Sequence, residues 1–103
     1  MDPEIFKALV CSTSCITRKD GDILTSIAEA LKESQGTLWV IDLDYGWMVR
    51  PGLLEAPYYE MRCAGLSEST LRLMTEGVRE FGAESVIFDR DGCVPDDWPV
   101  YDW

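Results

Sequence analysis

The stretch "TLWVIDLDYGWMVR" at residues 37–50 decides the fold, because it holds two apolar runs separated by turn residues. The first run, "TLWVID", is rich in β-branched and aromatic side chains, and "WMVR" after the turn has the same character. Between them, "LDYG" supplies the Asp and Gly residues that favour a tight reversal of the chain. We therefore predict a β-hairpin over residues 38–50.

Helical patterns flank this hairpin on both sides. Upstream, Thr17 and Asp20 resemble a capping box, and Gly36 ends the element. Downstream, Ser67 is the expected N-cap of a second helix that stops at Gly82. The apolar positions recur at helical spacing in both segments: Leu24, Ile27, Ala28 and Leu31 in the first, and Leu71, Met74, Val78 and Phe81 in the second.

Two further strands complete the pattern. Residues 5–12, within "IFKALVCSTS", and the apolar run "ESVIFD" before "RDG" are both typical of strands. The order βαββαβ predicts an α+β, ferredoxin-like fold, in which two helices cover one face of an antiparallel sheet. The final "PVYDW" is a candidate for an extra edge strand, and residues 51–65 are predicted to form a long loop. A chain of 103 residues with 47% hydrophobic content suits a single domain, residues 1–103.

Charge restricts the classes of partner. Nineteen acids against nine bases give a formal net charge of −10. This charge disfavours direct binding of nucleic acid or an anionic membrane surface, so we expect a cationic partner. The sequence has neither a run of eighteen apolar residues nor a basic N-terminal region, which predicts a cytoplasmic protein without a membrane span or secretory signal.

The cysteine and histidine content argues against several kinds of chemistry. The chain has no histidine, which excludes Ser-His and Cys-His catalysis. Its four cysteines, at positions 11, 15, 63 and 93, do not have the spacing of a zinc site or of a disulfide scaffold. We therefore expect free thiols, no metal site and no cofactor.

The stretch "VIFDRDGCV" at residues 86–94 resembles the first motif of haloacid-dehalogenase-type hydrolases. That resemblance implies Asp89 as nucleophile and Asp91 as acid/base, with Mg²⁺ held by further acids. Only nine residues follow this stretch, too few for the remaining motifs of that family. We therefore interpret it as a strand that enters an Asp-Gly turn, a pattern that "IDLDYG" repeats. The alternative is a small carboxylate- or metal-dependent hydrolase that uses Asp42 with Asp44, or Asp89 with Asp91.

The end of the chain combines acids with aromatic residues. Residues 84–103 contain six acids and a single base, Arg90, together with Trp98, Tyr101 and Trp103. Carboxylates bind arginine and lysine through ion pairs, and aromatic rings bind them through cation–π contacts. Alternatively, the charges only aid solubility and the aromatic residues close a small core. On the first interpretation the partner-binding residues are Asp89, Asp91, Asp96, Asp97 and Asp102, with Trp98 and Trp103 as anchors.

"DYGW" and "VIFDRDGCVPDDWPVYDW" are similar to sequences of a family of small proteins of unknown function carried on prophages and plasmids. The resemblance implies a mobile-element setting. Small acidic proteins in that setting resemble anti-CRISPR and anti-restriction inhibitors that imitate DNA. We therefore expect a non-enzymatic inhibitor, monomeric or weakly dimeric, that acts as a DNA mimic on the basic surface of a nucleic-acid-binding defence complex, such as a CRISPR effector. A third hypothesis is an antitoxin-like accessory protein that binds one basic partner.

Overall fold

The computed structural model describes residue 3 and residues 7–102 of the chain. Four strands and three helices are present in this part. In chain order they are β1 (Ala8–Ser12), α1 (Arg18–Ser34), β2 (Val40–Asp42), β3 (Gly46–Val49), α2 (Pro57–Cys63), α3 (Glu68–Phe81) and β4 (Ser85–Asp89). Short 3₁₀ turns, Thr13–Cys15 and Pro51–Leu53, follow β1 and β3. None of the described helices combines the length and the apolar character that crossing a membrane requires.

The strands form one sheet in the order β1-β4-β3-β2. The α+β class and the predicted succession βαββαβ are confirmed, and the strand order and helix number are broadly compatible with a ferredoxin-like fold. Pairs β2–β3 and β3–β4 are antiparallel, as predicted, whereas β1 and β4 are parallel. This pair corrects the prediction of a wholly antiparallel sheet. The chain returns through α3 and places β4 between β3 and β1. Strand β4 therefore runs in the same direction as β1.

Helices α1 and α3 cover the same face of the sheet, as predicted. Trp47 Nε1 on this face donates a hydrogen bond to Thr25 Oγ1 of α1 at 2.9 Å. A Cβ at Gly77 of α3 would lie 3.1 Å from a methyl carbon of Leu9, which alternation along β1 places on the same face. The hydrophobic core lies between this face and the helices. Its largest fully buried side chains are Phe88, Ile16, Leu24, Met61, Leu71 and Met74.

Helix α2 corrects the prediction of a loop over residues 51–65. The prolines and tyrosines of that region suggested irregular structure, but Pro57 is the first residue of the helix, where its missing N–H costs nothing. The carboxylate of Glu60 accepts a hydrogen bond from the backbone N–H of Ala56 at 3.0 Å. Met61 is buried in the core and attaches the short helix to the rest of the protein.

The described part of the C-terminal segment, residues 94–102, forms no strand, so the expected edge strand is wrong. Pro95 and Pro99 have no N–H for a strand ladder. Between them, Asp97 has a φ of 67°, which turns the chain. The predicted start of β1 at Ile5 lies outside the described residues.

Candidate functional site

A groove runs along the solvent side of α3, where the C-terminal segment lies against the helix. Its volume is about 610 Å³. We call it the α3 groove. Most of the charged residues that line the groove are acids. Arg72 is the only basic residue among the described residues that line it. The lining acids are Glu68, Glu76, Glu80 and Asp97, and the aromatic residue is Trp98.

Helical spacing explains the acidic side of the groove. Three of the acids and Arg72 follow one another at four-residue intervals, so they form one stripe on the surface of α3. The opposite side of the helix is apolar, and Leu71 and Met74 there are buried. Helix α3 begins after Ser67 and ends at Gly82, which has a φ of 63° that glycine adopts readily.

The second wall of the groove is held by Trp98 and Tyr101. The ring of Trp98 lies over Gly77, where a Cβ would be 3.2 Å from two ring carbons. The backbone N–H of Tyr101 donates to the carbonyl of Ser14 at 2.7 Å, and its hydroxyl donates to Ser69 Oγ at 2.9 Å. The C-terminal segment is therefore attached to the body of the protein on both sides of Pro99.

The acids of the α3 groove are poorly neutralised within the molecule. Arg72 Nε lies 4.0 Å from Glu76 Oε1, and both side chains are about two-thirds exposed, at 68% and 67%. Exposed pairs of this kind contribute little stability. No other ion pair involves a carboxylate of the groove in the described part of the chain. At one end, the Tyr58 hydroxyl donates to Glu68 at 2.9 Å, and this hydrogen bond raises the pKa of Tyr58.

The predicted partner-binding residues occupy different places. Asp97 and Trp98 line the α3 groove together. Asp89 and Asp91 lie instead at the turn after β4. Asp96 and Asp102 are exposed but do not line the groove, and Trp103 lies outside the described residues. The tail acids therefore do not form one continuous lining, and their role in binding stays a prediction.

Both Asp-x-Asp stretches are turns with the same hydrogen bond. Asp42 Oδ1 accepts from the backbone N–H of Asp44 at 2.8 Å, and Asp89 Oδ1 accepts from that of Asp91 at 2.9 Å. The two turns lie side by side, since the N–H of Arg90 donates to the Tyr45 carbonyl at 3.0 Å. This confirms the interpretation of "VIFDRDGCV" as a strand that enters a turn.

The glycines of these turns have a structural explanation. A Cβ at Gly46 would lie 1.6 Å from the carbonyl oxygen of Phe88, and one at Gly92 would lie 2.6 Å from that of Cys11. Each glycine therefore permits a close approach of two backbones. Across residues 3 and 7–102, no group of three or more Cys, Asp or Glu side chains is arranged to hold a metal ion.

A buried carboxylate fixes the start of α3, and thus the position of the groove. Asp20 of α1 is only 1% exposed. It accepts hydrogen bonds from the backbone N–H of Ser67 at 2.9 Å, and from the hydroxyls of Ser67 and Thr70 at 2.6 Å each. Burial by itself raises the pKa of Asp20, but these hydrogen bonds outweigh it, so the pKa of Asp20 is lowered overall.

Comparison with known proteins places the chain in a family. The model of the C-terminal domain of a family of unknown function, DUF5983, matches residues 8–103. The chain belongs to DUF5983. No curated protein and no solved structure matches it significantly. The match confirms that the domain belongs to a family without an assigned function, whereas the mobile-element setting of this DUF5983 chain stays a prediction.

Sequence reasoning did not identify the helical acids of the DUF5983 groove as site residues. Glu68, Glu76 and Glu80 lie eight and four residues apart, a helical spacing that the sequence contains, but the same spacing is common on any solvated helix face. What makes these acids a candidate site is the C-terminal segment that lies beside them. That contact joins residues about thirty positions apart, such as Ser69 and Tyr101, and no local pattern predicts it.

Proposed function

We propose that this DUF5983 domain is a protein-binding module that holds a basic segment of another protein in the α3 groove. One observation carries the proposal. Four carboxylates and Trp98 line a groove in which Arg72 is the base among the described residues. Their charges are therefore available to a cationic partner.

The chemistry of the groove suits arginine and lysine side chains. Carboxylates four residues apart offer ion pairs along the helix, and an exposed part of the Trp98 ring offers a cation–π contact. The acids are largely hydrated before binding, so each ion pair contributes modestly and depends on ionic strength. We therefore expect fast, salt-sensitive association.

In its more specific form, the proposal is that the basic segment belongs to a nucleic-acid-binding defence complex of the host cell, such as a CRISPR effector. The DUF5983 domain then acts in the host cytoplasm as an inhibitor from a mobile element, by imitating DNA. The net charge of −10 supports this form. It is also supported by the resemblance of small acidic mobile-element proteins to inhibitors that imitate DNA.

Charge density limits how much DNA the groove alone imitates. A stripe with one residue in every four presents a side chain about every 6 Å, since a helix rises about 1.5 Å per residue. One of the four positions in this stripe is Arg72, so its negative charges are sparser still. Duplex DNA carries a charge about every 1.7 Å of its axis. The groove therefore replaces a few phosphates only, and DNA mimicry requires a contribution from the second acidic region, the turns that contain Asp42, Asp44, Asp89 and Asp91.

A pair of matched variants tests the module. The triple variant Glu76→Gln, Glu80→Gln, Asp97→Asn removes three charges from the groove, and Asp22→Asn, Glu29→Gln, Glu33→Gln removes three exposed charges from α1. Binding of a fluorescent octa-arginine peptide is measured by anisotropy at low and high salt. The groove variant should bind about tenfold more weakly, as three ion pairs of about 0.5 kcal/mol each imply, and the α1 variant should match the wild type. Equal losses in both variants, or affinity independent of salt, would contradict the proposal.

A second assay separates the specific form from its alternatives. Purified domain is added to an RNA-guided effector complex, and binding of target DNA is followed by gel shift. We expect inhibition that the groove variant weakens and the α1 variant retains. If the peptide binds but the effector is unaffected, the module stands, and an antitoxin-like protein with another basic partner is favoured. Micromolar Mg²⁺ or Mn²⁺ binding by calorimetry, lost in Asp89→Asn, would instead favour the hydrolase.

A further inference from the structure

A second cavity lies at the end of the sheet where β3 finishes and β4 begins. Its volume is about 460 Å³, which falls within the range of small-molecule sites in proteins. We call it the β3–β4 cavity. It shares no lining residue with the α3 groove in the described part of the chain. Its lining residues come from β3 and the 3₁₀ turn that follows it, and from the start of β4: Met48, Arg50, Gly52, Leu53, Glu84 and Ser85.

The β3–β4 cavity contains one cation and one anion that do not pair with each other. Arg50 is partly buried, Glu84 is exposed, and neither forms an ion pair within the described residues. The remaining side chains of the lining, those of Met48, Leu53 and Ser85, carry no charge. A cation and an anion that stay apart beside apolar side chains suit a ligand that has both charges and an apolar body.

Ser85 is a second, independent sign that the cavity takes a ligand. Since Val49 pairs with Val86 across the two strands, Arg50 follows at the position opposite Ser85. Ser85 is 3% exposed, and its Oγ has no hydrogen-bond partner in the described part of the chain. A buried hydroxyl without a partner is destabilising, and native proteins contain few of them. A small molecule inside the cavity, unlike a second protein on the outside, contacts Ser85 directly because Ser85 is part of the lining.

We propose that the β3–β4 cavity binds a small zwitterion with an apolar body, of the class of the apolar α-amino acids. The guanidinium of Arg50 donates to the ligand carboxylate, and the Ser85 hydroxyl donates to the same group. The carboxylate of Glu84 pairs with the ligand ammonium group. Met48 and Leu53 contact the apolar side chain of the ligand, which covers the surface of Leu53 that is 43% exposed in the chain alone.

Charge favours a zwitterion over a ligand with a single charge. A free anion is repelled by a chain of net charge −10 and by Glu84 inside the cavity. A free cation is repelled by the guanidinium of Arg50 in the same space. An α-amino acid has no net charge, so the field of the protein does not oppose its entry, and each of its charged groups finds an opposite charge in the lining. Nucleotides and other phosphate compounds fit poorly, because they are anions.

The small size of the ligand limits its affinity. A ligand of the size of leucine has few heavy atoms, so we expect a dissociation constant of about 1 mM or below. Because the ligand binds the native state alone, it also raises the unfolding temperature. This site goes beyond the protein-binding module proposed above, since none of the described residues that line it lines the α3 groove. The two proposals can therefore fail independently.

Amide NMR titration with L-leucine up to about 10 mM tests the proposal, and L-methionine and L-phenylalanine extend it to other apolar side chains. Leucine should shift the amides of residues 48–53 and 84–85 in a saturable manner and leave those of the α3 groove unchanged. Two derivatives separate the two charges of the ligand. N-acetyl-leucine lacks the ammonium group and leucinamide lacks the carboxylate, so each should bind about tenfold more weakly than leucine.

Matched variants test the lining residues. Arg50→Gln and Glu84→Gln should each weaken leucine binding about tenfold, whereas Arg90→Gln and Glu33→Gln, which remove exposed charges outside the cavity, should leave it unchanged. Ser85→Ala should weaken binding about threefold. It should not lower the free energy of unfolding of the unliganded protein, since the hydroxyl that it removes has no partner in the described part of the chain.

Several results would overturn the amino-acid proposal. One is the absence of a saturable shift with all three amino acids, in protein that far-UV circular dichroism shows to be folded. Another is a derivative that binds as tightly as leucine, because the cavity would then recognise a single charge. Equal weakening by Arg50→Gln and Arg90→Gln would show a general effect of charge, and shifts confined to the α3 groove would place the ligand elsewhere.

Discussion

Asp20 and the acids of the α3 groove are carboxylates of the same protein in opposite environments. Asp20 is almost fully buried and accepts three hydrogen bonds from the start of α3. Glu76 is 67% exposed, and its nearest cation is a guanidinium nitrogen at 4.0 Å. The charge of Asp20 is satisfied within the molecule, whereas that of Glu76 remains available.

The difference separates a carboxylate that acts in folding from carboxylates that, on the proposal above, act in binding. A carboxylate that accepts several internal donors contributes to stability, because removing it leaves buried donors unpaired. A carboxylate on a solvated helix stripe contributes almost nothing to stability, and it is free to bind a partner as we propose. Stability measurements on substituted proteins therefore distinguish the two groups before any partner is known.

The largest effect is expected for Asp20→Ala. The substitution leaves the Ser67 and Thr70 hydroxyls and one backbone N–H without their acceptor. Charge-assisted hydrogen bonds and unpaired buried donors each count for roughly 1 to 3 kcal/mol, and these contributions overlap. We expect the free energy of unfolding to fall by about 3 kcal/mol in urea titrations.

Asp22→Ala is the control, because Asp22 lies in the same helix turn but is exposed. Its effect should stay below about 1 kcal/mol, the range of helix-dipole and surface effects. Similar losses for both variants would mean that Asp20 acts only as a helix N-terminal acid, and that its contacts with α3 contribute nothing.

An intermediate effect is expected from acid titration of the wild type. The pKa of Asp20 is lowered below its ordinary value of 3.8 in the folded protein. The unfolded chain therefore binds a proton at higher pH than the native one, and the stability from Asp20 is fully present above that ordinary value. It is lost as pH falls through the lowered folded pKa.

The measurement is the difference in unfolding free energy between wild type and Asp20→Ala, from pH 6 down to pH 2. Other carboxylates titrate in both proteins, so the difference isolates Asp20. We expect the difference to be constant above pH 5 and to shrink below the ordinary carboxyl pKa. A difference that grows as the pH falls would show that the pKa of Asp20 is raised instead.

Local contacts explain which parts of this arrangement the sequence could predict. The pattern of Thr17 and Asp20 predicts a helix start, and Thr17 Oγ1 accepts a hydrogen bond from the Asp20 N–H at 3.1 Å. The carboxylate of Asp20, however, binds Ser67 and Thr70, about fifty residues further along. A capping pattern is local, whereas this contact depends on how two helices pack on the sheet.

The hairpin and the C-terminal segment show the same division. The turn between β2 and β3 is only a few residues long, and the Asp and Gly residues of "LDYG" predict it. The sequence of the C-terminal segment predicts an edge strand, but the segment contacts α3 through Trp98 and Tyr101. Its direction is set by tertiary contacts with Gly77 and Ser69. Half of the α3 groove could therefore not be predicted from local pattern.

The smallest effect on stability is expected for the groove variant Glu76→Gln, Glu80→Gln, Asp97→Asn. It removes the exposed Arg72–Glu76 pair, worth about 0.3 to 0.5 kcal/mol in a helix, and it also removes the repulsion between Glu76 and Glu80, of similar size. Asn tolerates the positive φ of Asp97 as well as Asp does. The net change in unfolding free energy should stay within about 0.5 kcal/mol.

The same groove variant should nevertheless lose about nine-tenths of its affinity for the basic peptide, by the ion-pair arithmetic given above. The two groups of carboxylates then affect different quantities. Asp20→Ala strongly lowers the free energy of unfolding, and the groove substitutions lower the affinity for the peptide alone. Urea titration of the groove variant checks the first half of that statement. A loss above about 1.5 kcal/mol would mean that the groove acids hold the C-terminal segment in place, because only internal contacts can produce a stability effect of that size.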